Sequence, residues 1–268
     1  MNHRTIRRAA AAALITATIT TTAAACGPAD TDAGAKNTPS TSPAKPKDAF
    51  DGLTGAQISD KAKTALKSVT SLRVTGDAPD GSGSTITVNM AMDTKGSCRG
   101  TITQPGAGVI DIIKNRSSIF MKGDETFWRA SLASDKKKLT AKQTDAVLEL
   151  VKGRWMKVDK KTAKAMTRKD MCDLSTLADE LKGDSPADTS RGADITRAGQ
   201  PLAVIYDRGD ADTVTTVHVA KTGKPYPVEI INTGGTDAGS LKFTDFNKPV
   251  DTTPPPADQI LDPKKLSR

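Results

Sequence analysis

The sequence predicts an α+β fold in which a curled antiparallel β-sheet forms a half-barrel with helices packed on its concave face. Three observations predict it. An amphipathic helix is followed by strands with alternating apolar residues, the middle of the chain changes to helical spacing, and the last third returns to strands. A long antiparallel sheet curls, and helices inserted between two runs of strands pack on its concave face.

The first predicted element is a helix between Leu53 and Leu72, with Thr54 as its N-cap. Its apolar residues recur three or four positions apart, as they do on a helix face that packs against a core. These residues are Ile58, Ala62, Ala65, Leu66 and Val69. After this helix the chain from Ser71 to Asp77 is predicted to be extended.

A strand from Thr85 to Met92 has the clearest alternation in the chain. Ile86, Val88, Met90 and Met92 share one face, and small or polar residues occupy the other, which is typical of a half-buried antiparallel strand. Further strands are predicted at Arg99–Thr103, Gly108–Lys114 and Ser118–Lys122.

The middle of the chain has helical spacing. Helices are predicted at Glu125–Ala133, Ala141–Lys152 and Ser175–Leu181. Between the second and third of these lies a short extended piece, Arg154–Val158, which carries Trp155.

The last third of the chain returns to strands separated by turn residues. The predicted strands are Gly192–Arg197, Leu202–Asp207, Thr213–Ala220, Pro227–Asn232 and Leu241–Phe246. Strands that follow one another through short turns should pair as a meander. A proline-rich segment beginning at Pro254 is predicted to be an extended cap that leads into a short final turn.

Residues 1–25 have the organisation of an export signal. Three arginines precede an uncharged run from Ala9 to Ala25 that is rich in Ala and Thr, and Cys26 follows it directly. Small residues before the cysteine and Gly27 after it resemble the lipobox of bacterial lipoproteins. That resemblance implies that the Cys26 thiol carries a diacylglyceryl group and that residue 26 is the mature, palmitate-bearing N-terminus.

Two other interpretations of this segment stay open. A plain secretory signal cut after Ala25 also satisfies the small-residue rule, because Ala23 and Ala25 have the required spacing. A transmembrane anchor is less well supported, because the uncharged run is shorter than the roughly 20 apolar residues that a span needs. The position three before Cys26 is Ala23, where lipoboxes most often have leucine.

Residues 26–47 are predicted to be a disordered tether. After Cys26 the segment contains no aromatic residue and no Ile, Leu or Val, so it cannot bury enough apolar surface to offset the entropy of ordering. A flexible chain of this length has a root-mean-square reach of about 25 Å. Residues 48–268 are then predicted to form a single domain.

Several short motifs resemble the LolA/LppX–LprG-like superfamily of bacterial lipoproteins and lipid carriers. They are the Phe127-Trp128 pair after Lys122-Gly123-Asp124, the run 153–158 after a helix, the runs 225–230 and 243–246, and the proline-rich close. The resemblance covers roughly Leu53 to Leu261. It implies a half-barrel that either holds acyl chains between sheet and helices or serves as a scaffold outside the cytoplasm.

Cys98 and Cys172 are the two cysteines that remain after Cys26. In an exported protein such a pair favours a disulfide, which would stabilise the fold by around 4.5 kcal/mol at most. The alternative is a pair of buried free thiols. No Cys-x-x-Cys motif occurs, so the sequence supports neither redox catalysis nor a zinc site.

Charge and motif content argue against several functions. Three of the 39 basic residues lie in the signal, which lowers the net charge from +8 to +5, and the remaining ones are scattered with few aromatics. A nucleic-acid surface would cluster them with aromatic residues, so no nucleic-acid partner is expected. No catalytic or metal motif is present, and we expect neither an enzyme nor a cofactor. His218 is expected on the solvent face of a strand.

The sequence predicts a lipid-anchored protein at the extracytoplasmic face of the cell membrane. It is expected to be a monomer in which an apolar cavity binds or carries a lipid or another apolar ligand. Methionines are unbranched and suit irregular apolar cavities. The candidate pocket residues are Ile86, Val88, Met90, Met92, Met121, Trp128 and Trp155. The alternative is a non-catalytic surface scaffold or signalling module with a filled core.

Overall fold

The computed structural model describes residues 48–80, 82–134, 139–158, 172, 174, 189–208, 212–235 and 238–261. The predicted signal peptide, Cys26, the predicted tether and the predicted helix at 175–181 lie outside these residues.

The described residues contain three helices and thirteen strands. The helices are α1 (Gly55–Lys67), α2 (Glu125–Ser134) and α3 (Ala141–Val151). The strands of the first half are β1 (Ser71–Pro79), β2 (Thr85–Asp93), β3 (Cys98–Gln104), β4 (Gly108–Lys114), β5 (Ile119–Gly123) and β6 (Trp155–Val158). Those of the second half are β7 (Thr189–Arg191), β8 (Ile195–Arg197), β9 (Gln200–Arg208), β10 (Val214–Ala220), β11 (Pro227–Thr233), β12 (Gly239–Thr244) and β13 (Ile260–Leu261).

All strands belong to one curled, open sheet. Its order is β13-β6-β5-β4-β3-β2-β1-β12-β11-β10-β9-β7, and β8 pairs separately with β9. Neighbouring strands are antiparallel except β6 and β13, which are parallel. The predicted α+β half-barrel is therefore confirmed, and so is most of the predicted meander.

Two pairings go beyond the meander. β1 pairs with β12, with Arg73 opposite Thr244, and this pairing joins the two halves of the sheet at its centre. β13 lies beside β6, with Ile260 opposite Trp155. Short-range alternation carries no information about either pairing, because the partners are far apart in the sequence.

Helix α1 begins where the sequence predicts. The Gln57 amide N–H donates to the Thr54 hydroxyl over 3.3 Å, and the Thr54 amide N–H donates to the Gln57 side-chain oxygen over 2.9 Å. This reciprocal pair satisfies two N–H groups that a helix end otherwise leaves open. The buried face of α1 includes Ile58, Ala62 and Leu66. We call the side of the sheet on which these residues pack the inner face.

Two apolar clusters lie on the inner face. The smaller one lies under α1 and consists of Phe50, Ile58, Ala62, Ala203, Ile205 and Val219. The larger one lies over β1 to β6 and includes Leu72, Val74, Met90, Met92, Cys98, Met121 and Phe243. A helix therefore covers the inner face in one half, whereas side chains of the methionine-rich strands fill it in the other.

A disulfide links Cys98 in β3 to Cys172, as the sequence predicts, with the two Cα atoms 5.4 Å apart and a sequence separation of 74. Both sulfurs are buried in the larger cluster, and Leu174 packs there as well. The bridge therefore fixes residues 172 and 174 on the inner face.

The prediction for His218 was wrong, because its side chain is buried. Its Nδ1 lies 2.7 Å from Oε2 of Glu229, which is also buried and also contacts the Arg197 guanidinium. β9 is buried at four consecutive positions, 202–205, so both of its faces are covered. Alternating residue types show that a strand has two different faces, but they do not show that one of these faces is exposed to solvent.

Candidate functional site

Five of the seven predicted pocket residues share the inner face. Met90 and Met121 are fully buried and Met92 nearly so, whereas Ile86 and Val88 are half-buried at the edge of the larger cluster. The registers bring them together, because Met90 lies opposite Gly100, Gly100 opposite Ile112, and Ile112 opposite Met121. The structure places these five side chains in the packed core.

The two tryptophans lie elsewhere. Trp128, in α2, is buried in a third apolar cluster with Leu148, Val151 and Leu261. Met156 pairs with Met121, whose side chain lies on the inner face. Trp155 directly precedes Met156 in the strand, so its side chain lies on the opposite, outer face. The predicted residues therefore occupy three places rather than one pocket.

A groove of about 450 Å³ lies where the ends of β4 and β5 meet α2 and α3. Its apolar lining consists of Val109, Trp128 and Leu148. Its charged lining consists of Asp111, Lys122, Asp124, Glu125, Arg129, Asp145, Glu149 and Lys152. Of the residues predicted from sequence, Trp128 lines this groove.

The charges around the groove form ion pairs. Arg129 Nε lies 2.8 Å from Glu125 and its terminal nitrogen 3.3 Å from Asp145, so it links the two helices. Lys122 lies 3.2 Å from Asp111 on the neighbouring strand. The hydrogen bond to Glu125, assisted by Asp145, raises the pKa of Arg129 above its ordinary value, so the residue stays charged. The groove thus combines an apolar floor with a rim of compensated charges.

Gly123 allows α2 to begin directly at the end of β5. A Cβ at this position would lie 2.2 Å from the Phe127 ring, which is closer than a side chain tolerates. The Phe127 amide then donates to the Asp124 carboxylate over 2.7 Å, which stabilises the first turn of α2. This sharp connection sets the position of Trp128 in the groove.

The Trp128 indole N–H is buried and lacks a hydrogen-bond partner among the described residues. An unsatisfied buried donor costs about 1–3 kcal/mol, and native proteins leave few such groups. Its position beside Gly123 puts a donor without a partner at the base of the groove.

Sequence reasoning missed the groove because most of its lining is charged. Two signals were available. Glu125 and Arg129 have the i,i+4 spacing of a helical ion pair, and Asp124 stands where an N-cap belongs. Nothing local to the sequence shows that Asp145 of another helix completes the group.

Within the described ranges no group of three or more His, Cys, Asp or Glu side chains is placed to hold a metal ion. No helix among the same residues is both long and apolar enough to cross a bilayer.

No known family matches this sequence, and no curated protein matches it. Among solved structures it is similar to LprF from Mycobacterium bovis, with a TM-score of 0.53 and 10% identity over 75% of this chain and 96% of LprF. It also aligns with the lipoprotein LppX from Mycobacterium tuberculosis, with a TM-score of 0.44 and 13% identity over 74% and 98% of the two chains. The likeness to LprF shows that this chain has the LolA/LppX–LprG-like fold, as the sequence motifs implied.

Proposed function

We propose that this protein is an exported lipoprotein, anchored at the extracytoplasmic face of the cell membrane through Cys26, that binds a lipid or another apolar ligand. Residues 1–25 would be its signal peptide, 26–47 its tether and 48–268 its binding domain. The observation that carries the proposal is the groove beside α2 and α3, with its apolar floor and compensated rim.

The groove suits a ligand with an apolar body and a polar end. Its volume falls within the range of about 300–1,000 Å³ that ligand pockets occupy. Each methylene buried on Val109, Trp128 and Leu148 would contribute about 0.8 kcal/mol. A polar group of the ligand could exchange hydrogen bonds with the ion pairs that Arg129 and Lys122 form.

The predicted pocket residues enter this proposal in different ways. Trp128 would contact the ligand directly. Trp155 supports the rim, since Lys122 Nζ lies 4.9 Å from the centre of its ring. The half-buried Ile86 and Val88 would provide a second apolar surface on the inner face, next to methionines whose side chains adapt their shape.

Blocking variants test the location of the ligand. We expect Leu148→Trp to fill the groove and to reduce binding of a fluorescent fatty acid at least ten-fold. Leu150→Trp, on the exposed side of the same helix, is the matched control and should bind normally. Val88→Trp tests the inner face instead. Normal binding by the Leu148→Trp protein, with an unchanged melting temperature, would exclude the groove.

The proposed anchor has its own test. Mass spectrometry of the mature protein should find a diacylglyceryl adduct on Cys26, and a Cys26→Ala variant should leave the membrane fraction. An unmodified N-terminus at Cys26 would support the plain secretory signal. Lipid extraction of the purified protein followed by mass spectrometry would show whether a ligand co-purifies.

A second candidate function follows from the packing of the inner face. Met90 and Met121 are fully buried, so the larger cluster is filled where a carrier of the predicted kind would have its cavity. This observation favours a non-catalytic interaction module. Absence of both co-purified lipid and fatty-acid binding, together with capture of a defined protein ligand, would support the module over the carrier.

A further inference from the structure

The turns at the two ends of the sheet differ in charge. The turns 94–97, 115–118 and 221–226 lie at the end where β1 begins, because the registers place Ser71 opposite Asp93 and continue from strand to strand. The segment after β12 lies there too. The basic residues of these four segments are Lys95, Arg116, Lys221, Lys224 and Lys248. We call this the basic end.

The connections at the opposite end are acidic. Their described residues are 80, 82–84, 105–107, 212–213, 234–235 and 238, and none of these is Lys or Arg. The carboxylate residues among them are Asp80 and Asp212. Strand β5 ends at this side, so the groove and Asp124 lie at the acidic end.

Some of the cations at the basic end are already neutralised. Lys221 is largely buried between Asp48 and Asp194, and Lys248 lies 2.7 Å from Asp245. These two residues therefore add little to the field outside the protein.

The other cations remain uncompensated. Lys95, Arg116 and Lys224 are exposed, and in the described part of the chain no carboxylate lies within 4 Å of their charged groups. Lys114 pairs with Cys98 in the ladder, so its side chain lies between the turns 94–97 and 115–118. Asp93 is the acidic residue nearest to Lys95 in the sequence, and its carboxylate accepts hydrogen bonds from the backbone amides of Lys95 and Ser97.

The described domain also begins at the basic end. Asp48 Oδ2 lies 2.7 Å from Nζ of Lys221, directly after the last residue of β10. Cys26 precedes Asp48 by 22 positions. The proposed tether would therefore join the domain on the same side as the four uncompensated cations.

We infer that the basic end, formed by Lys95, Lys114, Arg116 and Lys224, docks on the anionic phospholipid surface of the membrane. This inference rests on the proposed anchor, which would hold the domain within about 25 Å of the lipid headgroups. Each lysine or arginine at such a surface strengthens binding about five-fold. Docking this way orients the domain so that the groove faces away from the bilayer, where a ligand can exchange with a second surface.

Charge reversal at the two ends tests this orientation. The probe is vesicles of phosphatidylcholine with or without phosphatidylglycerol, and the protein is the full chain with Cys26→Ala. We expect the triple variant Lys95→Glu, Arg116→Glu, Lys224→Glu to bind the anionic vesicles more than about 100-fold more weakly. High salt should abolish the binding of the parent.

The matched control reverses three exposed cations away from the basic end, Lys61→Glu, Lys142→Glu and Arg154→Glu. It has the same net charge and should bind nearly as well as the parent. Equal losses in both triple variants, or parent binding that ignores phosphatidylglycerol, would overturn the inference. If the glutamate set fails to fold, the corresponding glutamine set, which removes three positive charges, should still lose about 100-fold.

The two proposals fail separately. An unmodified Cys26 in the otherwise unaltered protein would remove the anchor while leaving the vesicle result standing. Lipidated protein that bound both kinds of vesicle equally well would support the proposed anchor and contradict the proposed orientation.

Discussion

The two halves of the inner face are closed in different ways. In one half the capped helix α1 packs Ile58 and Ala62 onto β9 and β10, and every member of that small cluster is an ordinary aliphatic or aromatic side chain. Over β2 to β6, methionines and a disulfide take that place. The groove and the unsatisfied Trp128 N–H lie at the end of this half, beside α2 and α3. We call these the helix half and the groove half.

This contrast separates the residues that stabilise the fold from those of the proposed ligand site. A close-packed cluster loses several kcal/mol when one side chain is truncated. A region with an adaptable lining and an unpaired donor has room to change when a ligand enters. We therefore expect substitutions in the helix half to alter stability alone, and those in the groove half to alter ligand binding as well.

The largest effect is expected from Ile58→Ala in the helix half. Ile58 is fully buried, and its truncation leaves a cavity that should lower the free energy of unfolding by about 4 kcal/mol. Urea denaturation measures this loss. Ile231→Ala, at a half-buried position of β11, is the control and should cost clearly less. Folded Ile58→Ala protein that had lost fatty-acid binding would break the separation between the halves.

Removal of the disulfide comes next. Replacing both Cys98 and Cys172 with alanine should lower the free energy of unfolding by about 3 kcal/mol, because the unfolded chain is no longer constrained across 74 residues. Urea denaturation with and without reductant measures it. Since the bridge holds Leu174 on the inner face, we also expect a change in ligand affinity. Unchanged stability on reduction would show that the bridge contributes nothing.

A smaller effect on stability is expected from Trp128→Phe. Losing the unsatisfied N–H offsets the loss of buried ring area, so the free energy of unfolding should change by less than about 1 kcal/mol. Trp128→Ala should cost about 3–5 kcal/mol. If the phenylalanine variant lost several kcal/mol, the indole N–H would have a partner in solution.

The smallest effect concerns the ion cluster at the start of the helix half. The hydrogen bond from Lys221, with a second from the Phe50 amide, holds the pKa of Asp48 below its ordinary value. A lowered folded-state pKa contributes stability that is present above the unfolded value of about 3.9 and is lost as the pH falls through the folded value. The melting temperature of the parent should exceed that of Asp48→Asn near neutral pH and converge with it in acid. A gap that persists in acid would contradict this assignment.

Local patterns predicted the elements well because the elements depend on local physics. The Thr54 cap and the spacing of Ile58, Ala62 and Leu66 suffice for α1. Strand β4 has the predicted limits because Gly108 and Lys114 adjoin turn residues. Strand β7 was missed, since its three residues are too few to show alternation.

The site was harder to predict because it depends on distant residues. The methionines of β2 pointed to a cavity, yet Met90 is fully buried in the core. Arg129 finds Asp145 only after α2 and α3 have packed. His218 is flanked on its own face by its cross-strand partners Val204 and Glu229, and Glu229 also contacts Arg197, which no period within one strand reveals.

The pairing of β1 with β12 also governs the order in which the chain can fold. The strand that contains Arg73 cannot pair with β12 until Thr244 has been synthesised. The centre of the sheet is therefore assembled from segments that leave the ribosome far apart in time. Contacts of such long sequence separation slow folding. The sheet is therefore completed only after residue 244 has been synthesised, although its outer strand pairs are local in sequence.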